Sequence, residues 1–210
     1  LLINACQGVD ARRYPPPHGA TAVQAISNFF GFDESEVFVG NGSDELLDLL
    51  MKTFAGKRTK ILVVEPTFPL YSYFAQMYGG EKGTVLLRPD FGLDVDALLE
   101  KSGREPSLLI VCSPNNPTGN QFTKRDLEKV VREFNGLVVV DEAYADFAKY
   151  SVIDWTRKTD NLMVLRTFSK AFGLAGIRLG FALSNRSVIG YLKRVAHPFN
   201  IDIIAQRVVA

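Results

Sequence analysis

Leu137-Val138-Val139-Val140-Asp141-Glu142-Ala143-Tyr144 is a run of four apolar residues that stops at two acids. A strand with one wet face alternates apolar and polar positions, whereas a strand covered by helices on both faces stays apolar throughout. The run therefore reads as a central strand of an α/β sheet, with Asp141 at its carboxyl end. Outward from it, β-rich runs recur at 37–39, 61–64, 84–87, 108–111, 162–165 and 179–183. Helical spacing fills the intervals at 20–30, 43–54, 70–78, 95–101, 124–134, 187–195 and from about 203. This alternation predicts a mostly parallel central sheet flanked by helices, a three-layer αβα arrangement. Open sheets of this kind bind ligands at the carboxyl ends of their strands, so the residues just after each run are where chemistry is expected.

The composition narrows the class of partner. Of 210 residues, 47% are hydrophobic and 22% charged, which suits a globular domain. Lys and Arg number 24 against 23 Asp and Glu, a net charge of +1 that supplies no field for nucleic acid or an anionic membrane. A small-molecule partner is expected. Cys6 and Cys112 are too few for a disulfide framework, and neither they nor His18 and His197 show a metal-ligand spacing, so no metal is expected. No apolar run reaches the roughly 18 residues that cross a bilayer, and Leu1-Leu2-Ile3-Asn4-Ala5 lacks the basic flank of a signal peptide, which predicts a cytoplasmic protein. The turn-rich cluster Tyr14-Pro15-Pro16-Pro17-His18-Gly19 separates an N-terminal segment, 1–18, from one large domain, 19–210. The chain begins without Met and stops in helical wording, so both ends read as cuts.

Four strand ends and one helix start carry candidate chemistry. Thr167-Phe168-Ser169-Lys170 follows the 162–165 run, and Arg178 comes eight positions after the lysine. A lysine at a strand end, in a semi-apolar setting among small and hydroxylated residues, suits a Schiff base with an aldehyde cofactor such as pyridoxal phosphate. Asp141 could cap a helix or bind magnesium beside a nucleotide. The magnesium reading lacks its phosphate loop, because Gly56-Lys57-Arg58 has neither the spacing nor the hydroxyl. An aspartate beside a pyridine nitrogen would keep that nitrogen protonated, and this reading accounts for both Lys170 and Asp141. Asn116, in Ser113-Pro114-Asn115-Asn116-Pro117-Thr118-Gly119, offers a rigidly presented amide, although the same wording fits a plain surface turn. Ser43 and Asp44 open a helix behind two glycines; most such starts are only caps, but free amides there also suit a phosphate, which Ser169 and Arg178 could share. Phe68 stands at a strand end, where an aromatic either packs in the core or covers a planar ring.

The wording Ser113 to Gly119, then Asp141 to Tyr144, then Thr167 to Phe181 resembles the fold-type I pyridoxal phosphate enzymes, and most closely the histidinol-phosphate aminotransferase family, from about Arg13 onward. The resemblance implies that Lys170 holds the cofactor as a Schiff base and then acts as the base, and that Asp141 pairs with its ring nitrogen. It implies that Asn116 and Tyr144 bind its phenolic oxygen. Ser43, Asp44, Thr167, Ser169 and Arg178 would hold its phosphate, and Phe68 would stack on it in place of a tyrosine. Tyr14, in Arg13-Tyr14-Pro15, would reach the phosphate of a neighbouring subunit, which implies a homodimer. The implied reaction passes an amino group from glutamate to imidazole acetol phosphate, a step of histidine biosynthesis. The family's C-terminal small domain, with its substrate-binding arginines, is absent from this sequence, and so the same wording leaves open a threonine-phosphate decarboxylase and a pyridoxal phosphate fold without turnover.

Overall fold

The computed structural model describes residues 2–57, 59–103, 105 and 107–210; Leu1 and Arg58, which entered the sequence readings, lie outside the described residues, as do Arg104 and Pro106. Among the described residues seven strands form one sheet: β1 (Val37–Gly40), β2 (Lys60–Glu65), β3 (Glu81–Leu86), β4 (Ser107–Cys112), β5 (Gly136–Asp141), β6 (Leu162–Thr167) and β7 (Gly180–Ser184). Their order across the sheet is β1-β7-β6-β5-β4-β2-β3. β7 runs antiparallel to both β1 and β6, and every other pairing is parallel, so the mostly parallel sheet is borne out.

The helices are α1 (Leu2–Cys6), α2 (Ala20–Phe30), α3 (Gly42–Phe54), α4 (Leu70–Met77), α5 (Val95–Ser102), α6 (Lys124–Glu133), α7 (Arg186–Val195) and α8 (Ile203–Val209). On one face α3, α4 and α7 bury Leu46, Leu50, Tyr71 and Leu192 against Ile110, Val139 and Leu165. On the other, α5 and α6 bury Leu98, Leu127 and Val130 against Leu109, Val138 and Val164. At the β1–β7 end of that second face, α2 and α8 cover Val37, Val39, Phe181 and Leu183. Neighbouring residues of one strand thus enter opposite layers, and this is why β4 is apolar without alternation and buried along its whole length.

Two elements differ from the sequence expectation. β3 begins at Glu81 rather than near 84, because it lies at the sheet edge and alternates exposed and buried positions, a pattern that an apolar run does not mark. α1 was not expected; of its five residues only Ala5 is buried, so it has almost no apolar stripe to read. Among the described residues no helix is long and apolar enough to cross a membrane.

Candidate active site

The register pairs Cys112 with Asp141 and Asp141 with Leu165, which brings the carboxyl ends of β4, β5 and β6 to one edge of the sheet. A cleft of about 200 Å³ opens there, and Asp141 forms its floor at 4% exposure. Asp141 Oδ1 accepts the Ala143 backbone N–H at 2.9 Å and Oδ2 accepts the Tyr71 hydroxyl at 2.8 Å. Burial pushes the Asp141 carboxyl above its ordinary range, while those two hydrogen bonds oppose the shift. Cys112 also lines the cleft, and burial with the nearby Asp141 charge pushes its thiol up to about 12, so it is a neutral wall and no nucleophile.

At one end of the cleft the first turn of α3 supplies Ser43 and Asp44, and Arg178 faces them from the loop before β7. The approach depends on missing side chains. Gly42 has φ 77°, and a Cβ there would lie 2.7 Å from Arg178 Nη2; a Cβ on Gly180 would lie 2.7 Å from the Ser43 nitrogen. Arg178 itself is left-handed, with φ 53°, and donates to Asp44 Oδ2 at 3.2 Å. Thr167 Oγ1 accepts the Ser169 backbone N–H at 3.1 Å and lies 3.0 Å from Ser169 Oγ, which folds the strand end of β6 into the same corner. Helix amides, two hydroxyls and a guanidinium around a glycine-cleared space form a donor set that could hold a phosphate.

Lys170 follows on the same loop, which a hydrogen bond from Gly173 N–H to the Lys170 carbonyl closes at 3.0 Å. Its Nζ lies 5.3 Å from the centre of the Tyr144 ring. The semi-apolar setting expected for it is only one-sided, because the lysine is otherwise exposed at the cleft mouth. Phe68, Asn116 and Tyr144 complete the walls. Tyr14 stands apart from the cleft: it is 80% exposed and stacks on Phe199 with ring centroids 4.6 Å apart.

The family model described as "Aminotransferase class I and II" matches residues 3–210. The chain belongs to that family. It is 39% identical over 194 residues to a histidinol-phosphate aminotransferase of Thermoanaerobacter sp. (strain X514), an alignment covering 92% of this chain and 55% of the relative. Among solved structures, a histidinol-phosphate aminotransferase of Sinorhizobium meliloti in complex with pyridoxal 5'-phosphate matches at a TM-score of 0.90 and 26% identity, over 99% of this chain and 57% of that one. An L-threonine-O-3-phosphate decarboxylase of Porphyromonas gingivalis matches at a TM-score of 0.82 over 99% of this chain and 60% of that one, but at 20% identity it shares the fold alone. The chain spans little more than half the length of these relatives.

Three supports of the cleft escaped the sequence reading. Tyr71 comes three residues after Phe68, but nothing local ties its hydroxyl to an acid 70 positions away. Asn115 joins two loops: its Nδ2 donates to the Pro66 carbonyl at 2.9 Å and its Oδ1 accepts the Thr67 hydroxyl at 2.8 Å, which holds the loop of Phe68 beside that of Asn116. Arg166 donates to Glu142 Oε2 and to Asp146 Oδ1, both at 3.0 Å, and so ties the end of β5 to the end of β6. Glu142 is 2% exposed and Arg166 7%; neither charge would be tolerated there alone. The only sequence signal for that pair was a charged residue inside an otherwise apolar strand.

Proposed function

We propose that this chain carries the cofactor site and catalytic lysine of a pyridoxal phosphate-dependent aminotransferase of the histidinol-phosphate type. Glutamate would be the amino donor and imidazole acetol phosphate the acceptor. The observation that carries the reading is the convergence of Lys170, Asp141 and the Arg178–α3 corner on one cleft from three separate parts of the chain. The 39% identical relative bears that aminotransferase name and the 26% identical structure holds pyridoxal 5'-phosphate, which supports the assignment of cofactor and reaction.

The bound cofactor supplies a ring that takes up the electron pair left on the substrate when a proton is removed. Everything else falls to the protein. Lys170 Nζ is the amine that would hold the cofactor covalently and, when free, would take the proton from the substrate α-carbon. Asp141, held by Tyr71 and Ala143, presents a carboxylate to the ring nitrogen. The α3 amides at Ser43 and Asp44, with Thr167, Ser169 and Arg178, would bind the phosphate, while Phe68 would cover the ring and Asn116 and Tyr144 would serve the phenolic oxygen. In this reading residues 1–18 form an arm ahead of the 19–210 domain, and the exposed Tyr14 reaches the phosphate of a second subunit in a cytoplasmic homodimer.

The test is direct. Pyridoxal phosphate added to the chain should give a visible absorbance band, and borohydride should then fix the cofactor to the Lys170 peptide in a mass spectrum. Glutamate should discharge the band, and imidazole acetol phosphate should restore it. A label on another lysine, or an undiminished band in Lys170→Ala, would sink the assignment.

A further inference from the structure

Among the described residues Asp141 has one side-chain hydrogen-bond donor, and it comes from another layer of the molecule. Tyr71 sits in the first turn of α4 at 1% exposure, and its hydroxyl donates to Asp141 Oδ2 at 2.8 Å. Its ring meets Phe68 edge-on, with centroids 5.6 Å apart and planes at 77°, and its N–H donates to the Phe68 carbonyl at 3.3 Å. One residue therefore couples the wall of the cleft to the acid at its floor. A phenylalanine would fill the same space; the hydroxyl adds a donor in a place where an unpaired one would be costly.

The surroundings define what that donor does. A carboxylate shut away from water takes up a proton unless charge or hydrogen bonds favour its ionised form. Among the described residues, four titratable groups face Asp141 from the packed elements: Tyr71 from α4, Cys112 from β4, Asp44 from α3 and Lys170 from the loop after β6. Cys112 stays neutral, Asp44 repels the charge, and Lys170 favours it. After burial itself, the Tyr71 hydrogen bond is the largest influence, and it opposes burial. The Ala143 N–H is a backbone donor and is fixed by the turn after β5.

We propose that Tyr71 is a positioning residue of the cofactor site: its hydroxyl orients Asp141 and keeps it ionised, so that the carboxylate can hold a proton on a cationic ring nitrogen. The inference rests on the function proposed above. It reaches the chemistry through Asp141, since Tyr71 itself handles no reacting atom.

The experiment uses the intact chain with Tyr71→Phe and with 3-fluorotyrosine at position 71, a more acidic phenol and a stronger donor. In cofactor-free protein the Asp141 carboxyl is titrated by carbon NMR, with Asp141→Asn to assign the signal. The midpoint should move up in Tyr71→Phe and down with fluorotyrosine, opposite directions that a loss of packing would not produce. In the loaded protein, ring-labelled pyridoxal phosphate should show its nitrogen resonance shifted toward the unprotonated position in Tyr71→Phe. Discharge by glutamate should slow about tenfold or more, the size expected on losing a hydrogen bond to a charged group, with half-saturation little changed. An unmoved Asp141 midpoint in Tyr71→Phe, or midpoints that shift the same way in both variants, overturns the proposal. Should Tyr71→Phe fail to fold, the fluorotyrosine titration alone decides. A wild-type chain that binds no pyridoxal phosphate would instead overturn the functional reading, while the cofactor-free titration would still decide the role of Tyr71.

Discussion

Asp44 and Arg178 stand 3.2 Å apart across the proposed phosphate corner, at side-chain exposures of 50% and 45%. A carboxylate therefore occupies the guanidinium that a phosphate would need. Pairs this exposed contribute only about 0.2–1 kcal/mol, too little to resist a dianion that also gains helix amides and two hydroxyls. Asp44→Asn keeps a polar residue in the first turn of α3 and removes the competing charge. Its affinity for inorganic phosphate should rise about two- to fivefold at low ionic strength, as expected from the loss of a pair of that size. The gain should fade as added salt screens the corner. Calorimetric titration of both proteins with phosphate at two salt concentrations reads this, and weaker binding by Asp44→Asn would show that the carboxylate helps to build the site instead of competing for it.

The placement of whole elements depends on close backbone approach. α3 enters the sheet edge beside β7 because Gly180 has no side chain: a Cβ there would meet Ser43 N at 2.7 Å, the Gly42 carbonyl carbon at 2.8 Å and the Arg166 oxygen at 3.0 Å. All three are backbone atoms, which cannot swing aside. Gly190 in α7 is the contrasting case, with nothing within 4 Å of the added carbon. Gly180→Ala should destabilise the chain by about 1–3 kcal/mol through overpacking and weaken phosphate binding, because the α3 N-terminus must move. Gly190→Ala should be neutral or stabilising by up to about 1 kcal/mol, since alanine is the better helix residue. Urea unfolding of both variants compares them, and equal effects would remove the claim that β7 sets the position of α3. The sequence predicted both elements, since each buries an apolar set; the contact between them was not predictable, because a glycine marks close approach, a turn and a helix end with the same letter.

For the molecule as a whole, the central strands and the helices that cover them were legible because burial on both faces leaves unbroken apolar runs. The cleft was legible because strand ends collect in one place. The supports behind it were not: Tyr71, Asn115 and the Arg166–Glu142 pair act across 70, 48 and 24 positions of sequence, and long-range pairing leaves no periodic trace. Those supports have a global consequence. Burial raises the carboxyls of both Asp141 and Glu142 in the folded chain, whereas the exposed Asp33, Asp90 and Asp96 and the partly exposed Asp10 and Glu65 are lowered by their hydrogen-bond partners. For a raised acid the folded state binds the extra proton between the unfolded and folded pKa, so its contribution is present at low pH and is lost as pH rises through the folded value. For a lowered acid the contribution is present above the unfolded value and lost as pH falls through the folded one. The cofactor-free chain should thus gain stability as pH falls through the raised values of the two buried acids toward the ordinary carboxylate range, and lose it only below that range. Each raised acid adds a slope of at most about 1.4 kcal/mol per pH unit. Asp141→Asn should flatten the rise without abolishing it, because Glu142 still titrates in its buried site. Melting temperatures measured at closely spaced pH values in both proteins decide the matter: a wild-type curve that falls monotonically from neutral pH into acid would mean that the exposed pairs, and not the two buried acids, govern the charge balance of the fold.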